Sequence, residues 1–243
     1  MAVNRLLAAL PRSDLAELER YFRYVHLKQH DIVQKSDELI EHVYFPLSGM
    51  ISLVTELQNG QLIEVAAIGD EGAVWASVGK TVPVSATKGV VQLPGRAVRL
   101  SLGQFRESAA RSPAIAEIVT KSHELLIASA QQTAACNGLH SIELRLARWI
   151  LRAHDHHQDD LVPVTQEFIS QMLGVRRTTV TLAARILQNE GLIRNQRGYI
   201  QIADRAGLEK RACECYEMGR HNMLQIFGPE GQLARQPLGR TRS

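Results

Sequence analysis

Five side chains in one short stretch, Arg176, Arg177, Thr178, Thr181 and Arg185, have the types and the spacing to grip a polyanion and read its bases. On a helix beginning near Arg176 they share one face and its first turn. Guanidinium forks there fit phosphate or guanine, and hydroxyls fit base edges or backbone. Val180, Ala183, Ala184 and Leu187 recur at threes and fours, which gives the same helix an apolar side to bury. Arg176 stands where a helix prefers Ser, Thr, Asp or Asn as its cap. A cation at the positive end of the helix dipole is unfavourable without an anion nearby, and a phosphate would be that anion.

The surrounding residues read as the frame for this helix. Thr165 can cap a short helix that carries Phe168, Ile169, Met172 and Leu173 on one face. Gly174 then permits the positive φ of a tight turn, and Val175 anchors it. Beyond Gly191, residues 192–194 and 199–202 read as two short strands joined by a tight turn at 195–198, a wing that carries Arg197. Residues 176–211 hold eight Arg or Lys against three Asp or Glu, whereas the whole chain of 243 residues is only +3. The charge is local, as phosphate neutralisation requires, so affinity should fall steeply with salt. Thr165, Gln166 and Arg197 are placed on phosphates. The competing reading is a stable helical pair whose basic face is merely solvated; helix, glycine turn, basic helix and wing in sequence favour double-stranded DNA as the partner.

The length permits two modest domains. No apolar run reaches the roughly 18 residues of a membrane span, and the N-terminal Leu-rich stretch is too short for a signal-peptide core, so a cytoplasmic protein without membrane contact is expected. Three cysteines, Cys136, Cys213 and Cys215, make no disulfide framework. After two short helices at 3–10 and 13–23, strand candidates follow at 25–28, 42–45, 49–56, 62–68, 89–93 and 97–101. Asn59-Gly60 marks a hairpin among them. Short strands at such spacing suggest an antiparallel barrel or sandwich.

A long helix is predicted over 113–138, roughly 40 Å at ~1.5 Å per residue. Ile115, Ile118, Ser122, Leu125, Ser129, Gln132 and Cys136 form an imperfect coiled-coil seam on it; the alternative is packing against the chain's own β domain. A second helix at 141–153 should lie beneath the DNA reader.

The segments VYFPLSGMISLV (43–54), NGQLIEVAAIGDEG (59–72) and QEFISQMLGVRRTTVTLAARILQNEGLI (166–193) resemble the Crp/Fnr superfamily of bacterial transcription regulators. The first two are similar to its cyclic-nucleotide-binding β-roll and the third to its DNA-reading unit. The resemblance implies an α+β fold: an N-terminal antiparallel β-roll sensor-like domain (1–110), a dimerisation helix (111–140), a C-terminal winged helix-turn-helix (141–206), and a C-terminal helix with a flexible basic tail (207–243). It also implies a homodimer on a palindromic site, half-sites ~34 Å apart, and RNA polymerase as a further partner.

Departures from the family pattern carry expectations too. The β-roll positions for phosphate and ribose partners fall near Val84 and Val74, and those on the long helix at Ala130 and Gln131, so tight cyclic AMP binding is not expected. With no cysteine before Cys136, an N-terminal iron-sulfur cluster is excluded. The family's Arg, Glu and Arg readers align with Arg177, Thr178 and Leu182, which implies a target other than TGTGA. No cofactor, resident metal or catalytic set is assigned, the chain is read as no enzyme, and its effector is unknown. The rival reading is a ligand- or protein-binding β-roll module whose helical part reads no DNA.

Three features stay with two readings each. The stretch HDHHQDD (154–160) is a polar connection or a transition-metal site. Cys213 and Cys215 would diverge on a helix, which favours buried thiols over a redox or metal role, and Cys136 suits core packing better than pairing with a twin. Trp75 either lines a pocket or fills the nucleotide's volume.

Overall fold

The computed structural model describes residues 4–76, 83–157 and 159–227. Two short helices, α1 (Arg5–Ala8) and α2 (Arg12–Glu19), lead into an antiparallel sheet of β1 (Arg23–Leu27), β2 (Ile32–Gln34), β3 (His42–Glu56), β4 (Leu62–Ile68) and β5 (Lys88–Ser101). The strand order is β1-β5-β3-β4, with β2 also on β5. The hairpin at Asn59-Gly60 forms as expected, Gly60 taking φ +79°.

Four of the expected strands are in fact halves of two long ones. Residues 42–45 and 49–56 join as β3, and 89–93 and 97–101 join as β5, paired from His42↔Ser101 to Val54↔Lys88 through successive register shifts near residues 46–51. The apparent breaks at Pro46 to Gly49 and at Pro94-Gly95 are bulges where the two strands bend together. Gly49 has φ +76°, and a Cβ there would stand 2.6 Å from the Leu93 carbonyl oxygen. Punctuating residues signalled a bend that both strands share rather than a pair of ends.

The sheet leads directly into α3 (Leu102–Arg111), where Ser101 accepts from the Gln104 amide at 3.2 Å and Phe105 packs edge-on against Phe45. This helix was not expected from the sequence, although Ser101-x-x-Gln104 has the capping-box form that could have announced it. Ser112 caps α4 (Pro113–Leu139), with Pro113 opening the helix. The long helix is thus within one residue of its predicted range.

Its predicted seam faces inward. Ile115 and Ile118 are buried in the β-roll core, and the Ser122 hydroxyl donates to the Ala73 carbonyl at 2.9 Å. Leu125 and Cys136 are buried too, so packing against the chain's own domain displaces the coiled-coil reading of these positions.

The chain turns at His140 into α5 (Ile142–Asp155), then β6 (Leu161–Val162), α6 (Gln166–Leu173), α7 (Arg177–Asn189), β7 (Ile193–Gln196), β8 (Tyr199–Ile202), α8 (Arg205–Arg211) and α9 (Cys215–Phe227). The last returns along α4 and α5. The basic tail expected beyond residue 227 lies outside the described residues. One apolar cluster joins Met50, Val54, Ala67, Val90 and Leu93 of the sheet to Phe168, Ile169, Met172 and Leu173 of α6, so the two halves share a core. No helix among the described residues is long and apolar enough to cross a membrane.

Candidate nucleic-acid interface

The candidate reader is assembled by α5, α6, α7 and the small sheet β6-β8-β7. Thr165 caps α6, its hydroxyl accepting from the Phe168 amide at 3.1 Å. Gly174 ends α6 in the left-handed conformation, φ +63°. A Cβ there would also stand 2.8 Å from Ile63 Cδ1 on β4, so glycine is required both by the turn and by the close approach of the sheet. Arg145 on α5 donates to the Leu173 carbonyl at 2.6 Å, satisfying an otherwise orphaned acceptor at the helix end.

α7 buries Val180, Ala183, Ala184 and Leu187 and turns its other face outward. Arg176 is the N-cap residue, extended at φ −68° and ψ 144°, and it makes no side-chain cap bond. Arg176, Arg177, Thr178 and Arg185 are exposed. Thr181 is half-buried, its hydroxyl donating to Gln166 Oε1 at 2.7 Å, which joins α6 to α7 and fixes that amide. Arg197 and Gly198 form the two-residue turn between β7 and β8, with Gly198 at φ +82° and Arg197 exposed at the tip. Gln188 accepts from both the amide and the side chain of Asn195, at 2.9 and 3.1 Å, so the wing is tied to α7.

Electrostatically this face is open. Among the described residues Arg176, Arg185, Arg194 and Arg197 form no ion pair, and Arg177 has only an exposed contact with Glu167 at 4.0 Å. Of the eight residues singled out in the sequence, seven lie on α6, α7 or their N-caps and Arg197 lies on the wing. Leu182, which aligns with a base-reading position of the family, is 60% exposed on the same face of α7.

Other candidate features rearrange. His154 and Asp155 end α5 rather than lying in a loop. His154 pairs with Asp160 at 2.9 Å and accepts from Arg205, while Asp155 accepts from Arg205 at 2.8 Å and from the Tyr216 hydroxyl. His156 instead reaches the β-roll, 3.2 Å from Asp70 and 3.5 Å from Glu71. The segment is thus divided between two packing tasks. Trp75 is buried over Gly89, donates from Nε1 to Ser85 Oγ at 3.2 Å and meets Tyr44 edge-on, so it occupies the β-roll interior. A cavity of about 350 Å³ lies elsewhere, between the β-roll, α4, α5 and α9, with Arg148, Arg152, Glu71 and Tyr216 on its wall. Burial depresses the Arg152 guanidinium below its ordinary range.

Residues 144–211 match the Crp-like helix-turn-helix domain. The whole fold, an antiparallel β-roll, a long helix and a winged helix-turn-helix, is shared with solved structures of Crp/Fnr-family regulators. No curated protein matches the chain in sequence. Solved structures match across most of its length. A Crp/Fnr-family transcriptional regulator from Eubacterium rectale is 17% identical, covers 85% of this chain and 96% of its own, and has a TM-score of 0.68. FixK2 from Bradyrhizobium japonicum is 14% identical over 79% of this chain and 98% of its own, TM-score 0.66. The c-di-GMP responsive regulator CLP of Xanthomonas campestris is 11% identical over 79% and 99%, TM-score 0.64.

Proposed function

We propose that this chain is a sequence-specific DNA-binding transcription regulator that works as a homodimer on a two-fold symmetric site, each α7 entering a major groove. The observation that carries this is the exposed row on α7: arginines whose one carboxylate contact among the described residues is Arg177 to Glu167, 4.0 Å and exposed, presented by a matched Crp-like domain. Arg177, Thr178, Thr181, Arg185 and Leu182 would face bases, the leucine meeting a thymine methyl, while Thr165, Gln166, Arg176 and Arg197 would hold phosphates. Two such helices related by two-fold symmetry reach half-sites about one helical turn apart.

The outward face of α4 supports the dimer. Ala116, Thr120, His123, Ile127, Gln131 and Ala134 are exposed at spacings of three and four, with Ile127 41% exposed, a narrow seam that a second copy would cover. Selection of genomic fragments by the purified chain is the deciding experiment. A symmetric motif supports the reading, and no enrichment over random fragments, with any small anion tried as effector, overturns it. Sedimentation should give a dimer that Ile127→Glu converts to monomer.

On this reading cyclic AMP is not the effector, because Trp75 fills the β-roll and Val74 and Val84 offer a phosphate no charge. A micromolar calorimetric isotherm with cyclic AMP would contradict that. The cavity beside α9 touches both halves of the molecule and is the place where a small anion would bear on the reader; such a ligand should raise Tm and change DNA affinity together.

A further inference from the structure

The three cysteines, scattered over nearly eighty residues of sequence, meet in space. Cys136 and His140 sit one helical turn apart at the foot of α4, an i, i+4 pair on one face. Cys213 and Cys215 close on them from the link between α8 and α9. The expectation that Cys213 and Cys215 diverge rested on both lying in a helix. Cys213 instead stands in the connecting turn, where its carbonyl accepts from the Tyr216 amide at 3.0 Å, and only Cys215 belongs to α9. All three cysteines are buried, and the donor atoms of the four side chains lie within 4.8 Å of one another.

The spacing suits a single ion. Ligand bonds of about 2.3 Å for sulfur and about 2.0 Å for nitrogen, at the tetrahedral angle, require edges of about 3.8 Å between two sulfurs and about 3.5 Å between sulfur and nitrogen. The Cys136 and Cys213 sulfurs are 3.6 Å apart, and Cys215 Sγ is 3.5 Å from His140 Nδ1. An iron-sulfur cluster would hold its cysteines farther apart, around several metal atoms. The far side of the imidazole is oriented as well: His140 Nε2 lies 3.2 Å from Glu214 Oε1, the carboxylate–histidine arrangement that fixes the tautomer of a ligating ring.

We propose that Cys136, His140, Cys213 and Cys215 form a four-coordinate site for one zinc ion, which pins the foot of the long helix to the start of the C-terminal helix. Three thiolates and one imidazole leave no open position, so the site is structural rather than catalytic. Its net charge with Zn²⁺ is negative by one, and the guanidinium groups of Arg148 and Arg145 act on the same sulfurs. Binding would release the thiol protons to solvent, with no change of oxidation state. Because α9 also walls the cavity and packs along α4, the ion would set the angle between the long helix and the reader.

The test uses the full chain. Metal analysis after purification without chelator should find one zinc per chain. The stripped, reduced protein should take up Co²⁺ one to one, with a thiolate charge-transfer band in the near ultraviolet and the intense visible bands of a tetrahedral site, both abolished by stoichiometric Zn²⁺. Cys215→Ser should remove about one third of the charge-transfer intensity. Glu214 is 74% exposed on its side chain, so Glu214→Gln should fold normally yet bind cobalt about tenfold more weakly. A reduced wild-type chain without these bands, a Cys136–Cys213 disulfide as the stable product in place of metal uptake, or unchanged cobalt affinity in both Glu214→Gln and His140→Gln would overturn the site.

Discussion

Arginine does opposite work on α7 and at the joint between the two halves. On the reading face the guanidinium groups project into solvent, and the one close carboxylate, Glu167, is 4.0 Å away and itself exposed. At the joint every arginine is anchored: Arg145 to the Leu173 carbonyl, Arg148 to Thr133 Oγ1, Arg152 to the Ala67 carbonyl, and Arg205 to Asp155 and the Tyr216 hydroxyl. A charge anchored inside the fold is committed there, while one left to water can release counterions and meet a phosphate. Composition alone does not separate these roles; partners do.

Substitutions can break that division. The largest effect is expected for Arg205→Ala, which removes the ion-pair partner of the mostly buried Asp155 and should cost about 3 kcal/mol of folding stability, seen as a lower Tm, with the ratio of specific to random DNA affinity unchanged. Adding Asp155→Asn to that variant should recover part of the loss, because the buried negative charge is gone. If the double variant melts no higher than the single one, the pair is not the source of the stability.

Arg177→Ala should reverse the pattern, with Tm unchanged and affinity for the best selected site reduced by about 2 kcal/mol, one base position being relaxed in a repeated selection. Equal losses on specific and random DNA would move Arg177 from the bases to the phosphates. Leu182→Ala should cost about 1 kcal/mol, confined to sites that carry a thymine opposite it, as competition binding with single-base variants would show. Smallest is Arg197→Ala at the wing tip. It should weaken all sequences alike and lower the slope of log affinity against log salt by about 1.

The reader was legible in the sequence because its signals are local: the Thr165 cap, the Gly174 turn, the three-four spacing of Val180, Ala183, Ala184 and Leu187, and the wing turn ending at Gly198 all act within a few residues. That turn is two residues shorter than its expected 195–198 span because β7 runs on to Gln196. The β-roll was legible in outline only. Pro46 to Gly49 and Pro94-Gly95 look like strand ends, and nothing local says that the two interruptions face each other across a single pair of bent strands. The long helix was found by period and cap, yet its period could not say what covers each face. Ile115, Ile118 and Ser122 fit a coiled-coil seam and a β-roll contact equally well, and tertiary packing decided. The meeting of Cys136 and His140 with Cys213 and Cys215 depends on α9 turning back along α4, a long-range event without a local trace.

The shared core has a consequence for how the chain is made. Met50, Val54, Ala67, Val90 and Leu93 belong to strands synthesised early, yet their cover is α5 and α6, more than fifty residues downstream of β3. A nascent β-roll therefore leaves the ribosome with one apolar face bare, and keeps it bare until the reader has been translated and docks. Truncation after α4 would leave that face exposed for good, so the β-roll half alone should aggregate where the whole chain stays dispersed.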